Sequence, residues 1–112
     1  MSERTDAGYL QDSIISIEAI ARYLSDITED DFMTNQMLQD AVIRRFEIIG
    51  ETASHITQEL KTNSPDIEWQ LMSDMRNKLI HEYFGASASL IYAASKLNLP
   101  ELKTKLLAIQ HT

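Results

Sequence analysis

Cysteine is absent from all 112 residues, which removes disulfides and thiolate metal sites and makes a reducing cytoplasm the natural compartment. Glycine and proline are scarce, at 3 and 2 residues, so the chain has few of the breaks that loop-rich or disordered proteins use. No stretch runs the ~18 residues without charge that a membrane span needs, and Met1-Ser2-Glu3-Arg4-Thr5-Asp6 is polar with no apolar run behind it. Neither a membrane anchor nor a secretory leader is expected. Positive charge is also short: 10 Lys and Arg stand against 17 Asp and Glu, a net charge of −7. That argues against a protein that holds long nucleic acid by bulk neutralisation of phosphate; any such ligand has to be gripped locally.

What is present is a 44% hydrophobic composition arranged in helical register. One domain spanning residues 1–112, with a single core, is expected. From Asp6 to about Ser25, Leu10, Ile14, Ile17, Ile20, Ala21 and Leu24 recur at helix spacing. Thr28-Glu29-Asp30-Asp31 reads as a hydroxyl cap followed by acids suited to a helix start, leading into a short turn through Phe32 and Met33. Asn35 or Thr34 then caps a second long helix to about Leu60, with a stripe at Leu38, Ala41, Val42, Phe46, Ile49, Ala53 and Ile56. Gly50 inside it costs about 1 kcal/mol relative to Ala, and the close approach of another backbone is the expected reason.

Thr62-Asn63-Ser64-Pro65-Asp66 reads as a loop. A third helical segment begins at Ile67 and Trp69, breaks near Ser73-Asp74 and resumes to Gly85, a suitable C-terminal stop. Trp69 reads as a core anchor rather than a base-stacking platform. Ser87 or Ser89 caps a fourth helix to about Leu97, and Pro100 sits in the first turn of a last one, Glu101 to Gln110. The expected fold class is all-α, an up-and-down bundle of four to five helices.

The chemistry concentrates in Met75-Arg76-Asn77-Lys78-Leu79-Ile80-His81-Glu82-Tyr83-Phe84-Gly85. A guanidinium, an amide, an imidazole and a phenol fall within eight residues, among apolar residues spaced like a buried stripe. Asn77 and His81 are one turn apart on one face, so the amide can steer the ring. Arg76 and His81 differ in direction by roughly 140° on an ideal helix. A second copy of the helix across a two-fold axis would bridge that gap, each subunit supplying one Arg and one His. From pattern alone, His81 is also readable as a helix-end residue capping carbonyls near Gly85.

Together, Arg76-Asn77-x-x-Ile80-His81-x-Tyr83 after Trp69 and Met75, Gln39 to Glu51, and Leu99-Pro100-Glu101-Leu102 resemble the HepT-type proteins of the HEPN superfamily. Ser87 and Tyr92 depart from the pattern, which often has an acidic residue and a Trp there. The resemblance implies a homodimeric ribonuclease toxin, neutralised by a minimal nucleotidyltransferase antitoxin (MntA-type) that transfers AMP to Tyr83. It assigns Arg76 and His81 to catalysis and Asn77 to support.

These residues suit RNA cleavage without a metal or cofactor. Histidine can take the proton from a ribose 2′-hydroxyl near neutral pH, and arginine can meet the phosphorane-like charge bidentately. Arg44, Arg45 and Lys78 are candidates for lining the cleft or holding RNA. Glu47 is a candidate to hold Arg76. His55 and His111 lack companions at metal-ligand spacing and read as ordinary surface residues. The rival classes are a non-catalytic binding module that assists a nucleotidyltransferase and a helical dimer scaffold. An enzyme requires Arg76 and His81 open in a cleft; a scaffold requires them buried and satisfied.

Overall fold

The computed structural model describes residues 5–82 and 87–110, with residues 78–82 and 87 described by backbone alone. The chain is all-α: α1 (Asp6–Tyr23), α2 (Glu29–Met33), α3 (Gln36–His55), α4 (Gln58–Asn63), α5 (Trp69–Glu82), α6 (Ser87–Ala93) and α7 (Leu99–Gln110), the last two joined by a π-helical turn, Ala94–Asn98. No strand occurs among the described residues.

Local chemistry sets most of the helix starts. Thr5 Oγ1 accepts from the Gly8 amide at 3.2 Å at the head of α1. Thr28 and Asp31 form a reciprocal capping box on α2, and Asn35 caps α3 by accepting from the Leu38 amide at 3.0 Å. Such caps each contribute about 1 kcal/mol.

Three boundaries differ from the sequence reading. First, α3 stops at His55 rather than near Leu60, because Ile56 is extended and Thr57 caps a separate α4. Thr57 donates its amide (3.0 Å) and its hydroxyl (2.6 Å) to Asp6. A side chain tied to the head of α1 competes with continuation of the helix.

Second, α5 runs unbroken through Ser73 and Asp74. Gln70 Nε2 donates to Asp74 Oδ1 at 2.9 Å one turn on, a pairing that supports a helix on its exposed side.

Third, no loop separates the fourth and last helices. Pro100 lacks an N–H and crowds the carbonyl four residues back. The helix absorbs this by widening, so that the Leu99 amide donates to the Ala94 carbonyl, five residues earlier, as in a π-bulge.

The core gathers Leu10, Ile14, Ile17 and Ile20 of α1, Val42, Phe46, Ile49 and Ala53 of α3, and Leu99 and Leu106 of α7. α3 lies between α1 on one side and α5 on the other, and α7 returns along α1. Trp69 anchors the start of α5: it is buried, and its indole donates to the Ser64 carbonyl at 3.1 Å. The hydroxyls of Ser13 and Thr52 meet in the buried seam between α1 and α3. Tyr92 packs on Phe32 and donates to the Ile27 carbonyl at 2.7 Å, a structural role at one of the two positions that depart from the family pattern.

Candidate active site

The polar side of α3 carries Arg44, Glu47, Ile48, Glu51, Thr52 and His55, spaced so that they share one face. With Tyr9 and Asp12 of α1 and Arg76 of α5, they line an open cavity of about 410 Å³. Three helices thus contribute to one polar cleft.

Gly50 delivers Arg76 to this cleft. A Cβ at position 50 would lie 2.3 Å from Arg76 Cβ, a separation real side chains essentially never show, and 3.0 Å from the Met72 carbonyl. Only a bare α-carbon lets α5 approach α3 this closely. The guanidinium then reaches the next residue along α3, with Arg76 Nη2 3.4 Å from Glu51 Oε2. Its side chain keeps 34% of its exposure, so it is neither buried nor free of the wall.

Glu51 also meets His55, Oε1 to Nε2 at 3.0 Å, and the His55 ring stacks on Tyr9 with centroids 5.0 Å apart and planes 11° from parallel. Arg44 pairs with Glu47 at 3.5 Å. Glu47 is the sequence candidate to hold Arg76; the structure gives that place to Glu51. The lining holds three carboxylates, Asp12, Glu47 and Glu51, against two guanidiniums. An entering phosphate therefore has to compete with carboxylates for both arginines.

The remaining sequence candidates are not all gathered here. Arg45 is turned away from the cleft: its Nε donates to the Tyr23 hydroxyl at 3.3 Å, and its guanidinium lies 6.0 Å from that ring's centroid. Asn77 is exposed on α5. His81 and Lys78 are placed on α5 by their backbone, with side chains outside the described residues, and Tyr83 lies outside them altogether, as does His111. Tyr9 and His55 also line the cleft, and His55 is about half exposed, in keeping with its reading as a surface residue. The one-turn spacing of Glu51 and His55 is readable, but the Tyr9 stack depends on how α1 and α3 register.

A second, apolar groove of about 320 Å³ lies across α5, among Phe46, Met72, Met75 and Leu102. Among the described residues, no three His or carboxylate side chains converge as metal ligands would, and no helix is long and apolar enough to cross a membrane.

The chain is thus an all-α bundle that carries an arginine from one helix into a polar cleft walled by two others. The chain belongs to the HepT-like family of the HEPN superfamily: a family model described as Ribonuclease HepT-like matches residues 14–109. It is 44% identical over 101 residues to a Methanocaldococcus jannaschii protein named gamma-glutamylcyclotransferase and putative RNase, covering 90% of this chain but only 46% of that one. It is 39% identical over 103 residues to a probable ribonuclease HepT of Thermococcus cleftensis, covering 92% and 94% of the two chains. A further M. jannaschii relative, a putative RNase, is 35% identical over the same share of each. No solved structure matches the chain.

Proposed function

We propose that this chain is a metal-independent endoribonuclease, the toxin of a toxin–antitoxin pair, acting as a homodimer. The observation that carries the reading is Arg76: in a chain of the HepT-like ribonuclease family, it is held in an open polar cleft by the helix that also bears His81. Under this reading His81 removes the proton from a ribose 2′-hydroxyl, and that oxygen attacks the adjacent phosphorus. Arg76 stabilises the charge that grows on the phosphoryl oxygens. The 5′-oxygen leaves as a hydroxyl after taking a proton, supplied by the second His81 across the dimer axis. The products are a 2′,3′-cyclic phosphate and a 5′-hydroxyl. Asn77, one turn before His81, orients the ring, while Arg44 and Lys78 guide the RNA strand.

A nucleotidyltransferase antitoxin silences the enzyme by transferring AMP from ATP to the Tyr83 hydroxyl, with pyrophosphate leaving and the phenol proton lost to solvent, which adds bulk and negative charge at that residue. The test is cleavage of total RNA in EDTA by the parent chain, beside Arg76→Ala and His81→Ala, after an intact-mass check for adducts. Cleavage by the parent alone, with cyclic phosphate ends and none on 2′-deoxy substrate, is the expected result. An unmodified chain that cuts no RNA would sink the reading.

A further inference from the structure

Glu51 touches two side chains of the cleft at once, one oxygen 3.4 Å from Arg76 and the other 3.0 Å from His55. We infer that Glu51 is the positioning residue for Arg76, and that His55, stacked on Tyr9, fixes Glu51 in turn. This role rests on the ribonuclease reading of the same cleft.

Arginine is long. A stem with several rotatable bonds and a guanidinium that is only partly covered samples many directions unless something fixes both ends. Gly50 fixes the near end, where the Arg76 stem lies against bare backbone. Glu51, the adjacent residue, fixes the far end at Nη2. A guanidinium has five N–H donors, so one anchored nitrogen leaves others for a phosphate.

A single carboxylate on a helix surface would itself be loose. Here its second oxygen is held by His55, whose ring is pinned on Tyr9. Tyr9, His55, Glu51 and Arg76 therefore form one connected row across α1, α3 and α5. Glu47 is engaged with Arg44 and does not duplicate the role. Because Glu51 and His55 are both about half exposed, their pairing adds little to stability. Loss of Glu51 is therefore read in the rate of the chemical step rather than in folding.

The experiment compares the parent chain with Glu51→Ala and Glu51→Gln on a short RNA, together with 15N relaxation of the Arg76 Nε–H, assigned with Arg76→Lys. Glu51→Ala should lower kcat roughly 10- to 100-fold, the scale of a misplaced reacting group. KM should stay within about threefold, as for a group that acts on the transition state, and the guanidinium should lose order. Glu51→Gln keeps an acceptor of the same reach and should fall between. Unchanged kcat, a raised KM alone, or a guanidinium equally ordered without the carboxylate would each overturn the inference. If the parent cuts no RNA, the ribonuclease reading fails, while the relaxation arm still decides whether Glu51 orders Arg76.

Discussion

A Cβ placed on Gly50 would sit 2.3 Å from the Cβ of Arg76, so the backbone of α3 is in direct contact with the stem of the side chain that α5 brings to the cleft. The missing methyl group at position 50 is part of the site, although glycine has no chemistry of its own.

Gly50→Ala should therefore destabilise the protein, reversing the usual gain of about 1 kcal/mol for replacing a helical glycine. Its methyl must push α5 away at a point where the opposing atoms are a Cβ and a carbonyl oxygen. A net loss of about 1–3 kcal/mol is expected from such overpacking, read as a lower midpoint in urea. RNA cleavage should fall with it as Arg76 retreats.

Arg76→Lys keeps the charge but loses the planar fork. A compact ammonium cannot hold Glu51 and two phosphoryl oxygens together, so kcat should drop by roughly 10²-fold. The melting temperature should barely move, because the native pair is partly exposed.

Glu47→Gln should act in the opposite direction. It releases Arg44, now paired at 3.5 Å, and removes one of the three carboxylates lining the cleft. The KM for RNA should fall by up to about fivefold, the most an exposed ion pair is worth. The gain should vanish at high salt as exposed charges are screened. An unchanged KM at low salt would show that Arg44 does not meet the substrate.

Trp69→Phe and Trp69→Ala separate two contributions at the base of α5. The first loses the indole hydrogen bond to the Ser64 carbonyl and should cost about 1 kcal/mol. The second also empties a buried site and should cost about 3–5 kcal/mol. Chemical denaturation of both variants measures the difference.

Much of the fold is legible in the sequence because it is local. The stripe of α1, the Thr28 cap and the amphipathic run of α3 are short-range patterns, and the unusual glycine at position 50 points to a close helix contact. What escapes is tertiary. The stop at His55 depends on Thr57 reaching Asp6, 51 residues away, and no window of neighbours contains that contact. Glu51 rather than Glu47 meets Arg76 because the offset between α3 and α5 is set at Gly50, a register that spacing within either helix does not reveal. Arg44 and Arg45 look alike in sequence, yet their directions on the helix send one into the cleft and the other to Tyr23.

The π-helical turn at Ala94–Asn98 also sets the phase of α7. Each hydrogen bond there spans one residue more than in an α-helix, so the turn absorbs one extra residue, and everything beyond it lies about 100° from where an unbroken α-helix of the same residues would put it. Leu99 and Leu106 face the core with that offset in place. Deleting one residue from the turn would let an ordinary helix close with both leucines still facing the core, whereas tightening the turn into α-helix with all its residues kept would swing them away by about 100°. The face that α7 presents thus depends on the turn keeping its wider hydrogen-bond register for as long as it carries the extra residue.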